Sequence, residues 1–79
     1  MTNREEIEKV LADVKRQREE AEAEAGHAAR SLARLVSGIT PLAELDGAEA
    51  QAAAETLVQG IERLRMLQQF ARTLRGLLI

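Results

Sequence analysis

An apolar stripe between residues 48 and 78 constrains the fold of this chain more than any other feature of its sequence. Small or apolar residues recur there at alternating intervals of three and four: Ala50, Ala53, Leu57, Gly60, Leu64, Leu67, Ala71, Leu74 and Leu78. These intervals keep one face of an α-helix turned toward a partner. Because such a stripe is unfavourable in water, it predicts a long helix that packs against another element.

The first half of the chain carries a matching stripe, which can supply that partner. The stripe follows the same intervals, and Arg18 is its one charged member. It consists of Ile7, Leu11, Val14, Arg18, Ala21, Ala25, Ala28, Leu32, Leu35 and Ile39. Thr2 with Glu5, and Asn3 with Glu6, both fit a capping box, in which a side-chain oxygen accepts a hydrogen bond from a free amide of the first helical turn. We therefore expect a first helix over residues 3–37.

The segment 38–47 has the composition of a connection. Pro41 suits the first position of a single helical turn. Asp46, with Glu49 three residues later, forms another capping box and starts a second helix over residues 48–78. Two helices of similar length joined by a short connection predict one all-α domain, an antiparallel helical hairpin.

Folding the hairpin about Ala43 predicts which residues meet. Gly60 would lie near Ala28, and Leu64 near Ala25, so that large side chains face small ones. The same pairing brings acids of the first helix beside arginines of the second, namely Glu19, Glu20, Glu22 and Glu24 beside Arg63, Arg65 and Arg72. We expect the two charge patches to neutralise each other across the hairpin.

The outer face of the first helix is predicted to be charged and exposed to solvent. Opposite charges at a spacing of four each stabilise an exposed helix by about 0.2–0.5 kcal/mol. The chain offers such pairs at Lys15 with Glu19, Arg16 with Glu20, and Arg18 with Glu22. Gly26 is the weak point of this helix, since glycine costs roughly 1 kcal/mol relative to alanine in a helix interior.

The size of the chain predicts self-association. With 79 residues it is near the length at which one core supplies only about 3–5 kcal/mol. It has no cysteine and a single histidine, so neither disulfides nor a thiolate or histidine metal site can add to that stability. Two packed helices would also leave apolar flanks partly bare. We expect a two-fold homodimer that forms a four-helix bundle.

Composition also bears on ligands and location. Phe70 is the only aromatic residue and the net charge is -2, which disfavours nucleic acid. No apolar run approaches the ~20 residues of a membrane span, and the N-terminus lacks the pattern of a signal peptide, so a cytoplasmic protein is expected. His27 is expected to be exposed, and no acid or hydroxyl has a partner base nearby. We expect no enzyme, cofactor or metal.

The candidate interface lies on the second helix and at its end. Its members share an apolar side chain at helical spacing: Leu57, Ile61, Leu64, Leu67, Phe70, Leu74, Leu77, Leu78 and Ile79. The last three have two interpretations. They either close the bundle over Ile7, Val10 and Leu11, or form an apolar anchor that lies in a groove of another protein.

Around the connection, Leu42, Glu44, Leu45, Asp46 and Glu49 resemble the bend of the Rop family of plasmid copy-number regulators. That resemblance implies a hairpin that dimerises into a four-helix bundle and holds paired RNA loops. The family reads RNA with a phenylalanine on its first helices, whereas Phe70 lies on the second helix here, and no site residue is carried over. The leading hypothesis is a non-enzymatic protein that self-associates and regulates, inhibits or assists a larger protein, a class that includes proteins encoded by phages and plasmids. The alternative is a Rop-like dimer that binds RNA.

Overall fold

A computed structural model of the chain describes residues 4–38 and 41–78. Helix α1 spans Arg4–Val36, a 3-10 turn spans Leu42–Glu44, and helix α2 spans Gly47–Leu77. The described part contains no strand. The two helices pack against each other as a hairpin of 61 × 16 × 14 Å, which confirms the predicted all-α architecture.

The start of α2 follows the predicted cap. The Asp46 carboxylate oxygen Oδ1 accepts a hydrogen bond from the Glu49 amide at 3.1 Å, and Asp46 itself has an extended backbone. The carboxylate thereby satisfies one of the amides that a helix N-terminus leaves free. The helix begins at Gly47, one residue earlier than predicted. The two capping boxes predicted for α1 depend on Thr2 and Asn3, which lie outside the described residues.

The connection between the helices contains the predicted short turn. The Glu44 amide donates a hydrogen bond to the Pro41 carbonyl at 2.9 Å, which closes the turn that begins after the proline. On its other side, the Ser37 amide donates to the Ala33 carbonyl at 2.9 Å and extends the last turn of α1. Both hydrogen bonds use backbone groups alone.

The core of the hairpin is thin. The buried apolar residues of the described part are Ile7, Val14, Ala21, Ala25, Ala28, Leu67, Ala71 and Leu74. Four of the eight are alanines, and none of the large side chains is completely buried. The larger ones gather toward the end where the chain begins and finishes, which we call the open end, and Leu11 and Leu78 pack against them. A two-layer contact of this kind leaves both flanks of the seam facing solvent.

The register of the hairpin differs from the prediction by about one helical turn. A Cβ atom on Gly60 would lie 2.8 Å from Ala25 Cβ, 3.4 Å from Ala25 Cα and 3.7 Å from the Ala21 carbonyl oxygen. Gly60 therefore crosses α1 at Ala25 and Ala21, and the predicted pairing with Ala28 is wrong. Small residues recur along this part of α1, so the same small-to-small packing is available one turn away.

The predicted neutralisation across the hairpin does not take the form of ion pairs. Between described residues, the ion pairs all lie within α1, where Arg4 binds Glu8 at 3.3 Å and Arg16 binds both Asp13 and Glu20. Only the Arg16–Glu20 pair, at 3.1 Å, was among those expected at a spacing of four. Exposed pairs gain little free energy and cost side-chain entropy, so many of the possible ones stay open.

Candidate interaction surface

The structure divides the predicted interface among three environments. Leu67 and Leu74 are buried in the hairpin core, and Leu78 packs against that core. Leu57 and Leu64 are half-buried at its edge. The remaining members lie on the surface, where Ile61 is 39%, Phe70 46% and Leu77 62% exposed, while Ile79 lies outside the described residues.

One group of exposed apolar side chains forms a stripe at the open end of α2. Met66 is 65% exposed and precedes Phe70 by four residues, and Leu77 follows Phe70 by seven. Residues at these spacings lie on the same side of a helix. We call Met66, Phe70 and Leu77 the open-end stripe. Sequence reasoning missed Met66 because it follows no seam position, although its spacing to Phe70 could have identified it.

The opposite flank of the hairpin contains a shallow groove. Its floor is apolar, formed by Leu11, Val14 and Ala71, and it encloses about 280 Å³. Lys15, Arg18 and Arg75 line its rim together with Ala12. None of these three cations forms an ion pair with another described residue. An apolar floor with unpaired cations at the rim is complementary to a partner surface that carries both apolar and acidic side chains.

Arg75 identifies the flank of α2 that lies on the groove side of the hairpin. Arg75 contributes to the groove, and Leu57, Ile61 and Leu64 precede it by eighteen, fourteen and eleven residues. Five turns of an α-helix take eighteen residues, so these side chains fall on one flank with Arg75. Half-buried Leu57 and Leu64 and exposed Ile61 therefore lie on the same flank of α2 as the groove, nearer the connection and away from the open-end stripe.

The charges on α1 differ from one flank to the other. On the flank away from the groove, Arg16 and Gln17 donate hydrogen bonds to the Asp13 carboxylate, the latter at 2.7 Å. The bond from Arg16, and to a lesser degree the bond from Gln17, holds the pKa of the Asp13 carboxyl below its ordinary value. The bond to Asp13 also raises the pKa of the Arg16 guanidinium. On the groove flank, Lys15 and Glu19 make no such pair.

The polar and titratable side chains of the described residues lie on the surface of the hairpin. The part of the chain that the structure describes holds no group of three or more His, Cys, Asp or Glu side chains placed to bind a metal ion. No polar or charged side chain there is buried, and His27 lies exposed on α1.

The hairpin exposes more surface than a compact protein of its size. Its accessible surface is 6148 Å², whereas a folded monomer of 8.7 kDa exposes about 4,700 Å². Its radius of gyration is 17.8 Å, against about 12 Å for a globular chain of this length. The excess of about 1,400 Å² reflects the elongated two-layer shape of the hairpin.

Comparisons with known proteins return no match: no family model, no curated protein and no solved structure is similar to this chain. Neither described helix is long and apolar enough to cross a membrane. The interaction surface is thus defined by its own residues, exposures and charges.

Proposed function

We propose that this chain is a non-enzymatic interaction protein, a helical hairpin that self-associates as a homodimer and regulates, inhibits or assists a larger protein. The excess of exposed surface carries the proposal. Specific protein interfaces bury about 800 Å² on each partner, and obligate dimers bury more. An excess of about 1,400 Å² is larger than the area that one partner loses in such an interface, so it leaves surface for a second contact.

The two flanks of the hairpin suit two different contacts. The open-end stripe presents a methionine, an aromatic ring and a leucine, residue types that are frequent at the centre of protein interfaces. It occupies only the part of α2 near the open end, so it offers a local anchor for a protein partner. The groove flank runs along both helices and suits the longer contact with a second copy.

We also propose that the protein is not an enzyme and that it is cytoplasmic. The charged side chains of the described part are exposed or half-buried along the helix faces, where they are accessible to a partner. A surface of this kind supports recognition by packing and charge pairing. The cysteine-free composition is compatible with a reducing compartment.

The partner surface is tested by introducing acids into the open-end stripe. The variant Met66→Glu/Leu77→Glu replaces two apolar side chains that are 65% and 62% exposed, so the hairpin should keep its helicity. Val58→Glu is the matched control, because Val58 is 53% exposed on the outer face of α2. We expect affinity capture from host lysate to lose a specific protein with the double variant and to keep it with the control. Equal capture by both variants would contradict the assignment.

A second candidate function is RNA binding by a Rop-like dimer. The three rim cations of the groove support it, since Lys15, Arg18 and Arg75 have no acidic partner among the described residues and could contact phosphates. Salt distinguishes the two candidates. Binding through phosphate contacts weakens steeply as salt rises, whereas an apolar protein contact changes little. Nuclease treatment of the captured complex should likewise remove its binding partner only if that partner is RNA.

A further inference from the structure

The groove flank of α1 carries four charges that are spaced for pairing and are not paired. Lys15 and Arg18 are followed by Glu19 and Glu22, and positions separated by three, four and seven lie on one helix face. Lys15 could bind Glu19, and Arg18 could bind Glu22, yet neither pair forms. On the other flank Arg16 pairs twice. The face therefore has two free cations followed by two free acids.

This order of charges is complementary to itself when read in the opposite direction. Lys15 and Glu22 lie at equal distances along the chain from the point between Arg18 and Glu19. A second helix laid antiparallel about that point would set Lys15 against the partner copy's acid at 22, and Arg18 against its acid at 19. Each contact would occur twice, as a two-fold axis requires.

Gly26 fits the same arrangement for an independent reason. A Cβ atom built on Gly26 would meet only the flexible Arg30 side chain, at 3.4 Å, so the hairpin itself does not require a glycine there. Glycine nevertheless weakens a helix interior relative to alanine. Gly26 lies four residues beyond Glu22, on the same face. In the antiparallel arrangement about the point between Arg18 and Glu19, Gly26 of one copy would lie opposite Leu11 of the other, and Leu11 is a half-buried residue of the groove floor.

We propose that this face of α1 is the surface through which two copies of the chain associate, with the two-fold axis passing between Arg18 and Glu19. The two α1 helices then run antiparallel, Leu11 of each packs over Gly26 of the other, and the four charges pair between copies. The axis lies close to the middle of Arg4–Val36, so the helices overlap along nearly their whole length. The proposal rests on the self-association stated under Proposed function and names the surface that makes it.

Charge reversal tests the arrangement directly. Lys15→Glu/Arg18→Glu makes the face wholly acidic, and Glu19→Lys/Glu22→Lys makes it wholly basic. Because like charges across an interface are strongly unfavourable, each variant alone should dimerise about 100-fold more weakly than the unaltered chain, or worse. Mixed together, the two variants restore four opposite-charge contacts. We expect native mass spectrometry and sedimentation of the mixture to show the heterodimer, with a Kd within about tenfold of the original homodimer.

The outcomes separate this proposal from the broader one. Undiminished dimerisation of both variants, or a mixture that forms no heterodimer, would overturn the assigned face and leave self-association intact. If the unaltered chain is a monomer at every concentration, both proposals fail. Circular dichroism of each variant checks that the helices persist, and recovery in the mixture excludes misfolding as the cause of weak homodimers.

A steric variant supplies a second test that leaves the charges unchanged. Gly26→Leu has room in the hairpin, since only the end of Arg30 lies near, but would collide with Leu11 of the second copy. We expect the hairpin to stay helical while dimerisation weakens about tenfold or more. His27→Leu is the control, because His27 is exposed and lies about 100° around the helix from Gly26. Equal Kd values for the two variants would overturn the proposed axis.

Discussion

Gly60 shows how one residue sets the distance between the two helices. The position of its missing Cβ lies 2.8 Å from Ala25 Cβ, closer than two carbon atoms approach without repulsion. Neither atom belongs to a flexible side chain, so a substituted residue could be accommodated only by separating the helix backbones. Glycine is retained in the middle of α2 because the helices cross closely there.

Substitution of Gly60 by alanine should therefore destabilise the protein. Alanine would strengthen an isolated helix by up to about 1 kcal/mol, but overpacking costs about 1–3 kcal/mol, so we expect a net loss of about 1 kcal/mol or more. Thermal unfolding measures the sign. Gly76→Ala is the matched control, since nothing lies within 4 Å of its added Cβ, and it should be neutral or stabilising. A rise in the melting temperature of Gly60→Ala would contradict the close crossing.

At the level of the elements, the two helices were predictable and their register was not. A stripe at intervals of three and four fixes a helix and its buried face, and the observed helices Arg4–Val36 and Gly47–Leu77 end within one or two residues of the prediction. Register depends on how many residues the 3-10 turn and its flanks consume. Because Ala21, Ala25 and Ala28 are alike, a shift of one turn still places small residues opposite Gly60.

The candidate site was predictable to a similar extent. Periodicity identified the apolar residues of α2, but it gave no measure of how much of each the first helix would cover. That coverage depends on the width of the partner, and a single helix covers only a narrow strip of α2. Leu67 and Leu74 fall within this strip, whereas Phe70 and Leu77 fall outside it and stay exposed. Met66 also falls outside it and was not predicted, although its spacing of four to Phe70 places it on the same side of α2.

Two adjacent leucines at the end of α2 are predicted to have different roles. Leu78 packs against the core cluster and Leu77 is 62% exposed, so we expect Leu78 to close the bundle and propose Leu77 alone as part of the anchor. Leu78→Ala should lower the free energy of unfolding by about 1–2 kcal/mol through lost burial. Leu77→Ala should change it by about 0.5 kcal/mol or less while weakening capture of the partner. Chemical denaturation and capture with the same two variants measure both effects, and equal destabilisation would contradict this division.

The whole molecule combines a thin core with a large surface. The described residues include eight that are buried, half of them alanine, and these stabilise a hairpin 61 Å long whose accessible surface exceeds that of a compact monomer by about 1,400 Å². Small chains of this kind gain stability when a second copy covers their flanks. The central claim is that the hairpin is one half of a two-fold assembly, in which self-association adds to the burial that a single chain achieves alone.

Sedimentation equilibrium and thermal unfolding over a hundredfold dilution series test that claim most directly. If two copies associate, the mass at high concentration should be twice the 8.7 kDa of one chain, and the melting temperature should fall with dilution, because unfolding is then linked to dissociation. A single species of 8.7 kDa at every concentration, with a sharp transition at an unchanged temperature, would contradict it.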